Sequence, residues 1–547
     1  MAKRIVIVGG VAGGMSAAAR ARRVNESASI TVLEKGPYIS FANCGLPYHI
    51  AGRIASEEKL LVTTAERVRS RFNIDVRPRH EALRIDRGRR VVEGINHATG
   101  ESFELAYDKL IQAPGADPII PPIGNIRAAN VLTLRNMEDT QAVKRYLETA
   151  NPKSAVVIGA GFIGLEMAEA LKDRQLKVTV VEKAPHALPV LDADMAPWIH
   201  KELASRNVDL VTGDGLAELQ GDAKKVTAVK TESGKVIEAD LVLLSIGVRP
   251  SAGLAKAAGL AVGASGAIEV DEVQRTNDPD IYAVGDATEV VHGVTGRRMR
   301  IPLAGPANRQ GRTAGEHAAT GNAKPAGSVL GTAIVQVFGL SIGVTGLTEA
   351  AARAAGYDVD FAMIHAGHHA GYYPGAVPLH VKLVYEKASG KVLGAQVAGG
   401  PGVDKRLDVV ATLIHFGGTI DDLARLDLAY APQFGSAKDP LHMAAFVAQN
   451  QKEALTPSMA VSDLNGELRL DVRTPQEFAQ GTLEGAINIP VEERRDRLGE
   501  LDPEREIAVF CQVGVRGHIA TRILRQHGFE KVRNVRGGYT SAAVERQ

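Results

Sequence analysis

An apolar run from Arg4 to Val8 enters the glycine cluster GGVAGG, and an Ala/Arg-rich stretch of helical composition follows over Ser16 to Val24. A second strand-like run, Ile30 to Leu33, closes on Glu34. Strand, glycine turn, helix, strand and acid succeed one another, with the acid twenty positions after Gly14. The same grammar returns at Ala155 to Glu182: the strand AVVIG, a loop holding Gly159, Gly161 and Gly164, an amphipathic helix predicted over Leu165 to Lys172, and the strand VTVVE ending on Glu182. Two such units predict two dinucleotide sites. The glycines let the backbone approach a pyrophosphate, the helix N-terminus offers free N–H groups, and the acid accepts hydrogen bonds from ribose hydroxyls. The first loop departs from the pattern, because Val11 stands where the middle glycine is expected and a compensating close approach at Gly13 is required.

Further along, TNDPDIYAVGDAT (Thr276 to Thr288) predicts a short strand before Gly285 and Asp286. A carboxylate emerging there, with a helix N-terminus behind it, suits a ribityl or phosphate-linking hydroxyl. From about Val329 to Asp360 apolar and polar positions alternate as in antiparallel strands, before an Ala-rich helix, which predicts a separate α+β domain. Ala448 to about Asp463 is polar, contains Pro457 and lacks a sustained period, so it reads as a linker. The remainder, to Gln547, has the length of one small domain.

The 547 residues predict three or four domains. With 64 Lys+Arg against 63 Asp+Glu the formal charge is +1, which gives no nucleic-acid footprint and no polybasic membrane surface. No run approaches the roughly 18 apolar residues of a membrane span. Glycines interrupt the N-terminal apolar run, which argues against a signal peptide. Only Cys44 and Cys511 carry thiols, too few for a disulfide framework or a four-thiolate zinc site and too far apart for a local redox pair. No metal is expected, and the composition suits a cytoplasmic protein in a reducing compartment.

The motifs GGVAGGMSAAARARR, SFANCGLPYHI, VIGAGFIGLEMAEAL, IYAVGDAT, AGYYPGA and LAYAPQFGSAKDP together resemble the single-cysteine coenzyme A disulfide reductases, flavoproteins of the pyridine nucleotide-disulfide oxidoreductase type, over about Met1 to Ala448. LDVRTPQEFAQGTLEGAINIP, VFCQVGVRGHIATRIL and VRGGY resemble a rhodanese domain. The whole resembles the reductase–rhodanese fusions, which reduce coenzyme A disulfide, coenzyme A persulfide and polysulfides. The resemblance implies an α/β chain with two Rossmann-like dinucleotide-binding domains, an α+β dimerisation domain and a C-terminal α/β rhodanese domain. The expected divisions are 1–150 and 271–327 for FAD, 151–270 for NAD(P)H, 328–447 for dimerisation, 448–462 for the linker and 463–547 for rhodanese.

FAD is then expected at Gly9, Gly10, Ala12, Gly13, Gly14, Glu34 and Lys35, with Gly285, Asp286 and Ala287. NAD(P)H is expected at Gly159, Gly161, Phe162, Ile163, Gly164, Glu182, Lys183 and Gly247. Glu182 favours NADH because a carboxylate repels a 2′-phosphate, and Lys183 beside it softens that preference. Cys44 precedes Gly45 and Pro47, residues suited to a helix start, where a thiol is stabilised as the attacking thiolate. With no second cysteine nearby, its disulfide partner is expected to be an external thiol, identified through the resemblance as coenzyme A. The matching coenzyme A contacts are Ser16, Arg20, Arg23, Ser40, Asn43 and Lys438. Tyr372 and Tyr430 match phenols that reach the site from the partner subunit of a homodimer and protonate the leaving thiolate, with Tyr373 a neighbouring competitor.

Cys511 follows a buried strand and heads a loop to Arg516 that closes on a helix start, a nest for an anionic sulfur. Gln512 and Thr482 stand where that family often has arginine and histidine, which weakens the expectation of thiosulfate transfer. Two other functions compete. One is an NADH oxidase or peroxidase cycling Cys44 through a sulfenic acid, although those relatives carry histidine where this chain has Ala12. The other makes the last domain a persulfide carrier that docks a partner protein.

Overall fold

The computed structural model describes residues 2–545. Met1, Arg546 and Gln547, which the expected first and last domains include, lie outside the described residues. Two compact units are present, one formed by the chain up to Pro185 with Val208–Gly331, the other by His186–Asn207 with Thr332 onward.

The first unit contains two five-stranded parallel sheets. In one, the strands Ile281–Ala283, Lys109–Gln112, Arg4–Val8, Ser29–Glu34 and Asp75–Pro78 lie side by side in that order. The unbroken apolar run at its centre follows from burial on both faces. Ile5 and Ile7 pack with Ala17, Ala18 and Ala21 of the helix Ala12–Val24, while Val6 packs with Leu110 and Ile281 on the opposite face. Each of the buried Ile, Val and Leu side chains contributes roughly 1.5–3 kcal/mol relative to leaving it exposed.

The helix Ala12–Val24 also lies against Ala304–Thr320, and the small residues on both explain the contact. A Cβ on Gly311 would sit 2.2 Å from the Gly13 carbonyl oxygen, and one on Gly315 would sit 2.2 Å from that of Ala17. The second sheet runs Val208–Val211, Lys177–Val181, Ser154–Ile158, Leu241–Leu244, Val131–Thr133. Its last strand comes from before residue 150, so the second dinucleotide fold starts earlier in the chain than the glycine motif alone indicates.

In the second unit, an antiparallel sheet of Ala333–Val337, Leu340–Gly346, Val392–Gly399, Pro378–Glu386 and Val359–Gly367 carries the expected alternation. A further sheet is parallel throughout, in the order Ser458–Met459, Val532–Val535, Ile507–Phe510, Leu468–Asp471, Ile487–Asn488. The polar stretch 448–462 is therefore not one linker. The helix Pro440–Lys452, capped by Asp439, runs into it because Ala444, Ala445 and Ala448 are buried, and Ser458–Met459 already pairs with Asn534–Val535.

Candidate active site

The sequence puts both glycine loops at strand ends, and the structure shows what each glycine avoids. A Cβ on Gly9 would meet the Ala113 carbonyl oxygen at 2.1 Å, and one on Gly14 would meet that of Gly9 at 1.8 Å. Gly13 faces Val284, where a Cβ would come within 2.9 Å of a methyl group. The compensation for Val11 is thus packing of the helix start, whose first residues are Ala12, Gly13 and Gly14. Glu34, at the end of its strand, accepts hydrogen bonds from the amides of Gly10 at 2.7 Å and Gly36 at 2.8 Å. Burial nonetheless holds its carboxyl above the usual range, against those amide bonds and the charge of exposed Lys35.

Gly285–Ala287 is a single 3-10 turn following the strand Ile281–Ala283, rather than the N-terminus of a longer helix. The Gly285 amide donates to Gln310 Oε1 at 2.8 Å, and burial raises the pKa of Asp286, opposed by Arg135. Gln112, at the adjacent strand end, is wholly buried with both amide atoms unpaired among the described residues. A polar ligand held over these strand ends would fit that orphaned amide. The cradle suits a dinucleotide such as FAD.

The second cradle repeats the arrangement. A Cβ on Gly159 would meet the Ser245 carbonyl oxygen at 2.5 Å and one on Gly164 that of Gly159 at 1.9 Å, whereas Gly161 faces open space. The helix Phe162–Asp173 starts directly after it, with Ile163 exposed and Gly247 in a left-handed turn beyond the neighbouring strand. Glu182 accepts from the amides of Ala160 at 2.6 Å and Ala184 at 2.7 Å, while Lys183 is drawn to Glu232 at 2.8 Å. This open cradle fits NAD(P)H.

Cys44 is exposed and lies in the 3-10 turn Asn43–Gly45, ahead of the five-residue helix Leu46–Ile50. Ala42 is the N-cap residue, and neither Ser40 nor Asn43 caps the turn. Ser40 instead has a left-handed backbone, donating its amide to the Gly10 carbonyl at 2.8 Å, and Asn43 donates to the Arg135 carbonyl at 3.2 Å. The expected thiolate stabilisation is overturned in the polypeptide by itself. Partial enclosure first, then the carboxylates of Glu166 and Asp286, push the Cys44 thiol above its ordinary pKa.

Tyr48, one turn beyond Cys44, donates to Glu166 Oε1 at 3.0 Å. Arg53 pairs with Glu169 and Asp173 of the same helix. These partners were missed in the sequence, although Tyr48 falls within the cysteine motif and Glu166 lies within the second fingerprint helix.

Of the expected coenzyme A contacts, Ser16 bonds Asn308 at 2.5 Å and Arg20 pairs with Glu316 at 2.7 Å, both on the helix Ala304–Thr320. Arg23 instead stacks over Phe72 at 5.4 Å, so the two arginines take different neighbours despite their spacing. In the second unit Lys438 is exposed, and Tyr372 and Tyr430 join their hydroxyls at 2.9 Å on the surface. Tyr372 is 76% exposed and so is not core packing in this chain.

Cys511 directly follows the strand Ile507–Phe510 and is buried, with its sulfur 3.2 Å from the Gly514 amide that donates to it. The amides of Tyr539 and Thr540, opening the helix Gly538–Glu545, donate to the carbonyls of Cys511 at 2.8 Å and Gln512 at 3.0 Å. Gln512 accepts from Arg473 at 3.2 Å and donates to Thr540 at 3.0 Å, and Thr482 donates to Asp471 at 2.8 Å. The two departures from the rhodanese pattern are thus built into the loop's scaffold. Arg516 forms two 2.7 Å bonds to Glu477, which hold that carboxyl at about 2, and interacts with the Cys511 sulfur as well.

Residues 3–311 match the pyridine nucleotide-disulphide oxidoreductase family, 332–440 its dimerisation domain and 458–544 the rhodanese-like domain. A solved structure titled as reduced Bacillus anthracis CoADR-RHD is 44% identical, covering 100% of this chain and 98% of that one, with a TM-score of 0.96. An NAD-dependent persulfide reductase from A. fulgidus is 40% identical over 98% of this chain and 99% of its own, with a TM-score of 0.94. A Methanocaldococcus jannaschii protein named NADH oxidase is 36% identical over 81% of this chain and 98% of its own length. FAD and NAD(P)H are the cofactors expected of such proteins, in agreement with the two cradles. The chain therefore belongs to the pyridine nucleotide-disulphide oxidoreductase family and carries, after its dimerisation domain, a rhodanese-like domain.

Proposed function

We propose that this chain is an FAD-dependent, NAD(P)H-driven reductase of coenzyme A persulfide, polysulfide or coenzyme A disulfide, with NADH preferred. The observation that carries the reading is a solitary accessible thiol. Cys44 is exposed in the unit that holds both dinucleotide folds, and the other cysteine is buried in the rhodanese-like loop. A thiol without a resident partner needs an external one to cycle between disulfide and thiolate. The persulfide reductase and the CoADR-RHD protein, similar along the whole chain, support a sulfur substrate.

FAD, when bound, supplies the two-electron relay between nicotinamide and sulfur. Glu34 and the glycine turn hold one dinucleotide; Glu182 and the open face at Gly161 hold the other. Released from its mixed disulfide with coenzyme A, the Cys44 thiolate attacks the incoming sulfur. Tyr372 and Tyr430, contributed by the partner subunit of a homodimer, donate the proton that the departing thiolate takes. Ser16, Arg20, Arg23, Ser40, Asn43 and Lys438 bind coenzyme A, with Arg20 exchanging Glu316 for a phosphate. Cys511 and Arg516 handle sulfane sulfur. Two unpaired cysteines support a reducing, cytoplasmic setting.

Mass spectrometry of the purified protein before and after thiol treatment tests the central step. A coenzyme A adduct on Cys44, removed by thiol, is expected; a Cys44 that never carries one overturns the reading. A second reading, an NADH oxidase forming a sulfenic acid at Cys44, is favoured by the name of the M. jannaschii relative. In anaerobic stopped-flow experiments, flavin reoxidation that responds to oxygen and ignores coenzyme A persulfide decides for that second reading.

A further inference from the structure

Tyr372 and Tyr430 stand on loops and are 76% and 48% exposed. Tyr372 belongs to residues 368–377, between the strands Val359–Gly367 and Pro378–Glu386. Tyr430 belongs to residues 425–439, between the helices Ile420–Ala424 and Pro440–Lys452. Side chains so exposed take their position from the loops that carry them. A cavity of about 480 Å3 lies between the two loops, with His368 on one side and Ala429, Tyr430 and Phe434 on the other. Apolar packing therefore does not set the distance between them.

Polar contacts do. Arg406, on the helix Val403–His415, is 1% exposed. Its guanidinium donates to the His368 carbonyl at 3.0 Å, at the base of the first loop, and to the Asp439 carboxylate at 2.7 and 3.4 Å, at the end of the second. A bond of 3.3 Å to the Gly402 carbonyl fixes the plane of the fork. Gly402 leaves room for it, since its φ is +86° and a Cβ there would sit 2.3 Å from Arg406 Nη1. Buried Asp439 is held in turn by the Leu441 amide at 3.0 Å. The Ala370 amide donates to the Gly435 carbonyl at 2.9 Å and joins the loops directly. His442 closes the second loop on itself: Nδ1 accepts from the Asp439 amide at 3.2 Å, so Nε2 donates to the Leu426 carbonyl at 2.8 Å.

Apolar side chains of similar volume often stabilise a fold as well as a buried ion pair does. What they lack is direction. A planar fork with donors at fixed angles orients a carbonyl of one loop and a carboxylate of the other at once.

We propose that Arg406 and Asp439 are positioning residues, whose buried pair keeps the Tyr372 and Tyr430 hydroxyls at hydrogen-bond distance and so governs proton delivery to the departing thiolate. This rests on the two phenols being proton donors, as proposed above. In that step a phenol O–H bond breaks, an S–H bond forms on the thiolate, and the negative charge passes from sulfur to the phenolate, which water reprotonates. The neighbouring hydroxyl, 2.9 Å away, donates to that phenolate. A hydrogen bond to a charged oxygen is roughly twice as strong as one between neutral groups. A drift of the loops by about 1 Å carries the pair beyond hydrogen-bonding range.

The test uses the full-length holoenzyme with NADH and coenzyme A disulfide. Arg406→Lys keeps the charge and loses the fork. It is expected to lower kcat about tenfold or more. The KM for coenzyme A disulfide should change less than about twofold, because the interaction acts only in the transition state. Flavin reduction by NADH, followed anaerobically, should keep its wild-type rate. Tyr430→Phe by itself removes the bond between the phenols, so adding Arg406→Lys to it should lower kcat by less than about twofold more. Asp439→Asn, which keeps a cap for the helix and loses the charge that aims the guanidinium, carries the same expectations and takes the place of Arg406→Lys if that variant does not fold. Losses that multiply in the double variant, a raised KM that accounts for the defect, or wild-type kcat in the single variants overturn the positioning role. Wild-type kcat in both Tyr372→Phe and Tyr430→Phe instead refutes the proton-donor reading beneath it.

Discussion

Tyr48 and Glu166 join the helix that follows Cys44 to the fingerprint helix of the second dinucleotide fold through one hydrogen bond of 3.0 Å. Glu166 thereby becomes a fixed negative charge near the thiol. Replacing it by glutamine removes that charge and keeps the shape. The pH profile for alkylation of Cys44, measured in a Cys511→Ser background, should shift to lower pH. An unmoved profile means that Glu166 does not tune the thiol.

The glycines of the second loop have different jobs. A methyl group on Gly164 would lie 1.9 Å from the Gly159 carbonyl oxygen, so Gly164→Ala should cost about 1–3 kcal/mol or more through overpacking. Gly161 faces open space. Gly161→Ala should fold with unchanged melting temperature and show its defect only as a higher KM for NADH. Melting curves and initial rates on both variants decide the assignment.

Glu182 sits where an adenosine ribose would be read and is held by two amides. Glu182→Ala removes the repulsion toward a 2′-phosphate, while Lys183 next to it remains. The ratio of kcat/KM for NADPH to that for NADH should rise about tenfold, equivalent to 1.4 kcal/mol. The same variant should lose some stability, since the buried Ala160 amide and the part-buried Ala184 amide lose an acceptor.

His365 and His380 share a 2.8 Å hydrogen bond between their Nδ1 atoms, His380 stacks on Trp198 at 3.5 Å, and Ser541 bonds the far side of His365 at 2.9 Å. Burial lowers His365 to about 4 and His380 to about 3. In the unfolded chain both titrate near 6.5, so on acidification the unfolded state binds protons first. Stability is complete above about pH 6.5 and falls from about pH 6.5 to 4 for His365 and to 3 for His380, by up to about 1.4 kcal/mol per pH unit for each imidazole. Thermal melting from pH 7.5 to 5 should show this decline, and His380→Gln should flatten it.

Much of the candidate site was legible because its parts are local. A strand, a glycine turn and an acid some twenty residues on are close in the chain, and Gly9, Gly14, Gly159 and Gly164 each mark a clash that any side chain would create. The two cysteines were equally readable, each heading a loop after an extended segment. Local patterning also gave the antiparallel sheet after Gly331 and the strand before Cys511.

Electrostatics and long-range packing were decided only by the tertiary structure. The position of Cys44 ahead of a helix predicts a stabilised thiolate, yet partial enclosure first, and then Glu166, 122 residues away, and Asp286, 242 residues away, push it the other way. Arg20 and Arg23 share a helical spacing but are claimed by Glu316 and Phe72, partners that no sequence period specifies. The apparent linker is part helix and part edge strand because buried alanines and a strand some 75 residues later absorb it. Sequence determined which groups are available and where the backbone can turn; folding determined which charges meet, since a charge acts through space and its partner's position in the chain is immaterial.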